Sequence, residues 1–328
     1  MKERIEYYDN ARGILILLVV LGHILIKANP GWSIKPYSLA CSWINSFHMP
    51  AFFLLSGMLF DCDRWRTSSW GAFLIKRLQT LVVPYLFFEI IGMLYLRFVL
   101  HSISLPEGLL RIVTLQCNVG ADWFLPAMFF AGLLMFAYAK YLAGRKLWMY
   151  ISIVFGTACF FTSWFIPNGI VGNTAIRSLM GFGFMLAGHF LKNHMGNVTA
   201  IKAALALVLS IAFAFLSYRF AHNDFYDAVV SIPPLFFASA VTGTYFVLGV
   251  ASLIKWKPLT WLGENSLIIM GTHQLVLYTV KSQSSVLWVV GIMAMITAIE
   301  IILIQILNRF CPHFVGRPII QEGRKKRI

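Results

Sequence analysis

The chain has 328 residues, of which 59% are hydrophobic and only 12% charged, with a mean hydropathy of +0.75. An ordinary soluble domain carries about 25% charged residues, so this composition excludes a soluble globular fold and points to a polytopic membrane protein. The net charge of +14 is accounted for by Lys and Arg in cytoplasmic loops, and with no nucleic-acid-binding motif beside it no nucleic-acid partner is expected.

Apolar segments fall at 11–27, 39–60, 73–100, 122–142, 147–166, 170–191, 200–220, 232–254, 265–281 and 285–309. They predict an all-α integral membrane protein with about ten transmembrane helices, multi-pass in the cell inner (plasma) membrane. With the N-terminus inside, most Lys and Arg fall on one side, among them Arg64, Arg66, Lys76, Arg77, Lys140, Arg145 and Lys192. Lys27, Lys35, Arg97, Arg111, Arg177, Arg219 and Lys281 fall on the other, so both termini are predicted to be cytoplasmic. The first apolar run is followed by no A-x-A-like cleavage site and by further spans, so it is read as a retained helix rather than a signal peptide. The five cysteines are scattered, with no CxxC or Cys/His cluster, and predict neither a zinc site nor a disulfide framework. Residues 1–328 are read as one transmembrane domain, whose 310–328 segment is a basic cytoplasmic tail suited to an anionic leaflet.

The first span contains "DNARGILILLVVLGH", Asp9 to His23. Arg12 and His23 are eleven residues apart, which on a helix returns to within about 20° of one face, about 16 Å further along. Asp9 shares that stripe and can pair with Arg12 at the cytoplasmic mouth. An ionisable residue at membrane depth is a functional candidate by default, although Arg12 can also snorkel to the interface and His23 can be a satisfied core histidine. In the second span, "SFHMPAFFLLSGMLF" (Ser46–Phe60) carries His48 at a depth matching His23, and Pro50 interrupts the hydrogen-bond ladder. The third opens with Lys76 and Arg77, read either as topology anchors or as contacts for a polyanion entering from the cytoplasm. Pro84 is expected to kink this span, and Glu89 is buried as a cation partner or a proton-handling group. "ADWFLPAMFF" (Ala121–Phe130) opens the fourth span with Asp122 at the interface and Trp123 suited to an aromatic belt.

Arg177 lies just inside the sixth span. Arg219, His222, Asp224 and Asp227 cluster in an outer loop, either solvated or in contact with a hydrophilic acceptor. In "LGENSLIIMGTHQLV" (Leu262–Val276), Asn265 or Ser266 is a candidate helix cap and His273 falls mid-membrane. Glu300 is buried in the last span. Imidazoles titrate near neutrality, so membrane histidines with basic residues at the inner mouth suit base-assisted group transfer from a phosphorylated cosubstrate. No Walker, GxGxxG, HExxH or GxSxG pattern is present.

The Arg-x10-His spacing with Asp9 before it, "FHMPAFFLLSGMLF", "KRLQTLVVPY" (Lys76–Tyr85), "WFLPAMFF" and "LGENSLIIMGTH" resemble, in this order, the membrane acyltransferase-3 family of bacterial surface-carbohydrate O-acyltransferases. The resemblance covers most of the chain. It implies a ten-helix core and acyl-CoA, usually acetyl-CoA, as a cosubstrate, with no bound cofactor or metal. It also implies a glycan or lipid-linked sugar hydroxyl as acceptor, His23 as the catalytic histidine and Arg12 as its essential companion. The catalytic set expected on these grounds is His23, Arg12, Asp9 and His48, with Arg12, Lys76 and Arg77 for the donor and Glu89, Trp123, Arg177 and His273 for the acceptor. Gln79 and Thr80 stand where the family often carries a second basic residue after the Arg77 position. The hydrolase-like domain that some relatives append is not expected, so transfer would be completed within the membrane domain. Besides acyl-CoA, the glycan and membrane lipids, a homodimer is compatible with the chain. The alternative reading is a transporter or flippase for a glycan or small polar solute, its path lined by the same polar residues.

Overall fold

The computed structural model describes residues 6–195, 198–254 and 256–317. The expected basic tail therefore lies, from residue 318 on, outside the described residues. Fifteen α-helices carry most of the described chain: α1 (Glu6–Ala28), α2 (Lys35–Asn45), α3 (His48–Met58), α4 (Cys62–Thr67), α5 (Trp70–Arg77), α6 (Val83–Phe98), α7 (Leu105–Val113), α8 (Phe124–Ala137), α9 (Lys146–Ala158), α10 (Ile170–Met195), α11 (Ala200–Phe220), α12 (Pro233–Leu253), α13 (Lys257–Glu264), α14 (Ser266–Thr279) and α15 (Val286–Phe310). One antiparallel pair, β1 (Asn223–Asp224) with β2 (Val229–Val230), closes the turn between α11 and α12. The protein is an all-α polytopic membrane protein.

Eight stretches among the described residues are long and apolar enough to cross a membrane, α1, α11, α12 and α15 among them. The two other predicted spans are interrupted. The 39–60 segment divides into α2 and α3 at Ser46–Phe47, because Pro50 cannot donate to the carbonyl four residues back and fits only in the first turn of a new helix. The 265–281 segment yields the 14-residue α14, about 21 Å long and short of a roughly 30 Å hydrocarbon layer, and α13 precedes it directly. Pro84 does not break its span. Its missing N–H is accommodated by a π-helical segment, Leu78–Val82, that joins α5 to α6. The amphipathic α7 is a finding of the structure, without a counterpart in the predicted elements.

α1 lies at the centre, packed against α2, α3, α12, α13, α14 and α15. In lipid, helices gain little from burying apolar surface against each other, so close approach through small residues sets the crossings. A Cβ at Gly263 of α13 would lie 1.8 Å from the Asp9 carbonyl oxygen, and one at Gly13 would lie 2.3 Å from the Leu259 carbonyl oxygen. These two glycines allow α13 to lie directly on the start of α1. Asn10 locks the same crossing: its Nδ2 donates to the Ile254 carbonyl at 2.7 Å, and its Oδ1 accepts from the Thr260 hydroxyl at 2.7 Å. Gly263→Ala should therefore lower the stability of the solubilised protein by about 1–3 kcal/mol. A thermal unfolding midpoint equal to that of the parent would contradict this crossing.

Candidate functional site: two cavities along one helix

The polar stripe of α1 ends in two different cavities. The first opens where α1 begins, on the side the sequence marks as basic. It has a volume of about 900 Å³ and is lined by Tyr7, Tyr8, Asp9, Arg12, the α3–α4 connection, Arg64, Arg66, Tyr138, His189 and Lys192. Arg12 is bound to Asp9 at 3.1 Å, so the guanidinium is held at the wall. Asp61 caps α4 by accepting from the Arg64 backbone N–H at 3.2 Å, which fixes the turn that projects Arg64 and Arg66. Asp63 faces Arg66 at 3.6 Å at the exposed rim. Cations outnumber carboxylates on this lining, and several are Arg or Lys suited to phosphate oxygens. Cys62 lies against the His189 ring at 3.7 Å, and burial pushes its thiol up to about 11, so it is not poised as a thiolate.

The second cavity lies about 16 Å further along α1 and has a volume of about 320 Å³. His23 and His48 both line it, with Asn45, Trp123, Asp224, Tyr226, Gln274 and Tyr278. His48 is there because it is the first residue of α3 after the break. Its Nδ1 is 2.8 Å from the Ile44 carbonyl, which can only accept, so Nδ1 carries the proton and Nε2 holds the lone pair. His273 packs its ring 5.2 Å from that of His23, centroid to centroid. Its own Nδ1 is held by the Ile269 carbonyl at 2.6 Å, and its Nε2 has no hydrogen-bond partner among the described residues. Three imidazoles are thus clustered at the far end of the stripe, two of them facing the cavity.

Gln274 joins these parts. Its Oε1 accepts from the Ala121 backbone N–H at 3.0 Å and from the Tyr278 hydroxyl at 3.1 Å, which fixes the orientation of the amide. The amide nitrogen then points at His23, 3.0 Å from Nδ1 and 3.1 Å from Nε2. A contact nearly equidistant from both ring nitrogens steadies the imidazole plane without fixing which of them carries the proton. The segment before α8 is held equally firmly. Glu89 accepts from the backbone N–H of Asn118 at 2.5 Å and of Val119 at 3.1 Å, and Tyr278 accepts from Gly120 at 3.3 Å.

The family of the acyltransferase domain matches residues 5–305, nearly the whole described chain. The chain belongs to the acyltransferase-3 family. The Nodulation protein NolL of Sinorhizobium fredii (strain NBRC 101917 / NGR234) is similar, 34% identical over 139 residues that make up 41% of this chain and 36% of NolL. The chain thus aligns with little more than a third of the length of that relative. No solved structure matches the chain.

The structure of this acyltransferase-3 member places the residues singled out from sequence in separate groups. Asp9 and Arg12 meet at the basic cavity, while His23, His48 and Trp123 meet at the far one, with His273 directly behind His23. Arg177 lies behind the cavity wall. It donates to the Tyr226 carbonyl and stacks its guanidinium 5.1 Å from the rings of both Trp123 and Tyr226. Lys76 and Arg77 line neither cavity. Lys76 sits 5.1 Å over the Trp65 ring, whose other cationic neighbour is Arg64, and the half-buried Arg77 lies 5.0 Å over Phe73. Glu89 holds backbone, and Asp122, expected at the interface, is fully buried. Asn265 does not cap α14. Its Nδ2 donates to the Trp261 carbonyl, and its Oδ1 accepts from Asn308 and Arg317, each at 2.7 Å. Glu300 accepts from the Thr272 hydroxyl, a structural pairing of α14 with α15.

Sequence reasoning missed Arg64, Arg66 and Lys192 at the first cavity and Asn45, Tyr226, Gln274 and Tyr278 at the second. Gln274 adjoins His273 within a quoted motif, and Arg64 and Arg66 crowd a short loop. Those were the available signals.

Proposed function

We propose that the protein is a membrane O-acyltransferase that moves an acyl group, acetyl in the first instance, from cytoplasmic acyl-CoA to a hydroxyl of a surface or lipid-linked glycan in the inner membrane. The observation that carries this reading is the division of α1's stripe between a cation-ringed cavity at one end and a chamber with two facing imidazoles and no Lys or Arg at the other. CoA carries its charge on phosphates and its reactive thioester at the end of a long neutral arm. Arg12, Arg64, Arg66 and Lys192 suit the phosphates, and the arm is the part able to reach along α1 toward His23.

At the far cavity, His23 accepts the proton of the acceptor hydroxyl as its oxygen attacks the thioester carbonyl carbon. The carbon–sulfur bond breaks as the carbon–oxygen ester bond forms, and the imidazolium returns the proton to the departing thiolate. The products are an O-acyl sugar and free CoA thiol. His48 Nε2, with its lone pair facing the cavity, accepts from a neighbouring hydroxyl of the same sugar and so orients the acceptor. In a two-step variant the acyl group rests on His23 before the sugar takes it.

Purified protein supplied with labelled acetyl-CoA and de-esterified surface glycan should release CoA thiol and gain label on the glycan. Glycan binding without thiol release would favour the transporter alternative instead. Gln274 is a positioning residue for His23. Gln274→Leu, losing about 1–1.5 kcal/mol of oriented contact, should lower kcat about tenfold with the acetyl-CoA KM unchanged. A parallel rise in KM would mean that the substitution disturbs the fold.

A further inference from the structure

The chamber containing His23 and His48 adjoins a third cavity, of about 410 Å³, through a shared wall formed by Asn45 and Asp224. It is lined by Trp32, by Ser42 of α2 and Ser46 just after it, by Ser217 of α11, by His222 just before β1 and by Asp227 of the β1–β2 turn. The two cavities lie side by side, an arrangement that suits one elongated, hydroxyl-rich molecule running from the outer chamber to the histidines. Neither lining includes a Lys or Arg, and the outer one contains two carboxylates, the opposite of the donor cavity. Arg219, which the sequence groups with this loop, lies instead over the Phe220 ring at 5.9 Å.

Trp32 stands at the edge of this outer chamber, 48% exposed, in a left-handed backbone conformation with φ of 52°. A bulky residue holds that conformation only where its surroundings impose it, and such positions cluster at ligand clamps. Here the turn is closed by a network of short bonds. The Trp32 N–H donates to the Asn29 carbonyl and its carbonyl accepts from the Ser38 hydroxyl, each at 3.0 Å. Asn29 Nδ2 donates to the same hydroxyl at 3.0 Å, and Asn29 Oδ1 accepts from the Ile34 N–H at 3.0 Å. Opposite, Asn223 is fixed to Ser217 at 2.7 Å and Asp224 accepts from the Asp227 N–H at 3.0 Å, so the second wall is equally rigid. An indole face held open beside hydroxyls and carboxylates is the arrangement that receives the apolar face of a sugar ring while its hydroxyls are hydrogen-bonded around the edge.

We infer that the outer chamber is a subsite for the sugar adjoining the one that is acylated, so that the acceptor is a neutral glycan of at least two sugars, with Trp32 stacking on the second and Asp227 accepting from its hydroxyls. This rests on the glycan-acylation reading above and specifies its substrate. Anionic glycans are disfavoured by the carboxylates, which no cation on either lining offsets.

The test uses full-length protein in detergent, acetyl-CoA as donor, and alkali-de-esterified surface polysaccharide of the source cell cut into one-sugar and two-sugar fragments. Uronic-acid disaccharides serve as the anionic comparison. Two-sugar fragments should exceed one-sugar fragments about tenfold in kcat/KM, the scale of one aromatic stacking contact. Trp32→Ala should reduce that advantage to about twofold through a higher acceptor KM, with the acetyl-CoA KM unaltered, and Trp32→Phe should restore most of it. Asp227→Asn should narrow the gap between neutral and uronic-acid disaccharides. Equal use of one and two sugars, preference for the anionic disaccharide, or a Trp32→Ala loss that falls equally on both lengths would overturn the subsite while leaving the acyltransferase reading intact. Absence of transfer to every fragment alongside intact acetyl-CoA binding would overturn that reading itself.

Discussion

His23→Ala should reduce acyl transfer by about 10²–10⁴-fold, the usual range for a lost general base, and should do so in kcat. The acetyl-CoA KM should remain within about twofold, because His23 lines the far cavity and the phosphate-suited residues line the basic one. His48→Ala is the instructive partner. With Nδ1 tied to Ile44 and Nε2 facing the cavity, His48 is set to accept from a hydroxyl beside the reacting one, so its loss should act mainly on the acceptor KM and cost about tenfold, one hydrogen bond's worth. Steady-state kinetics on both variants in detergent, with expression matched by size-exclusion profile, would separate the roles. Transfer by His23→Ala within tenfold of the parent would remove His23 from the mechanism.

The second large effect belongs to Arg12. Arg12→Glu replaces a cation by an anion at the wall of the basic cavity and releases Asp9 from its ion pair. One charge-assisted phosphate contact is worth about 1.5–3 kcal/mol, so the acetyl-CoA KM should rise about a hundredfold. Raising ionic strength should weaken the parent's donor affinity and have less effect on the variant. Lys76→Ala and Arg77→Ala are the matched controls. Both side chains are engaged with aromatic rings and line neither cavity, so the donor KM should shift by less than about twofold. A large KM effect at Lys76 or Arg77 with none at Arg12 would move the donor site to α5.

How much of this was legible in the sequence follows from what lipid demands of a chain. Hydrocarbon requires long apolar runs with internally satisfied backbone, so α12 and α15 emerge within a residue or two of the segments predicted at 232–254 and 285–309. The stripe on α1 was legible for the same reason, since helical periodicity fixes which residues share a face. What was not legible is where two helices touch. Gln274 meets His23 across 251 positions of sequence, and nothing local to either residue records the contact. The interruption at Ser46–Phe47 was half legible: Pro50 signalled a disturbed ladder, but not that the new helix would begin at His48 and turn its ring into the cavity. Lys76 and Arg77 illustrate the opposite error source, in which charge at a helix entrance suggests an anion site and the folded chain gives the charge to aromatic neighbours.

The separation of the two cavities along α1 also has an electrical meaning. Under the proposed chemistry, the acyl group crosses toward the far face as a neutral fragment and the phosphates of CoA remain at the basic mouth. The proton taken from the sugar hydroxyl leaves on the CoA thiol toward the cytoplasm. Acyl leaves the sulfur outward as hydrogen takes its place, both within neutral groups, so a turnover moves no net charge across the bilayer. An elementary charge that crossed fully would be worth about 2.3 kcal/mol per 100 mV, and the exchange of neutral groups avoids that term in either direction. The thioester alone drives the transfer, so under this chemistry the placement of His23 deep on the far side lets the surface be decorated independently of the cell's voltage.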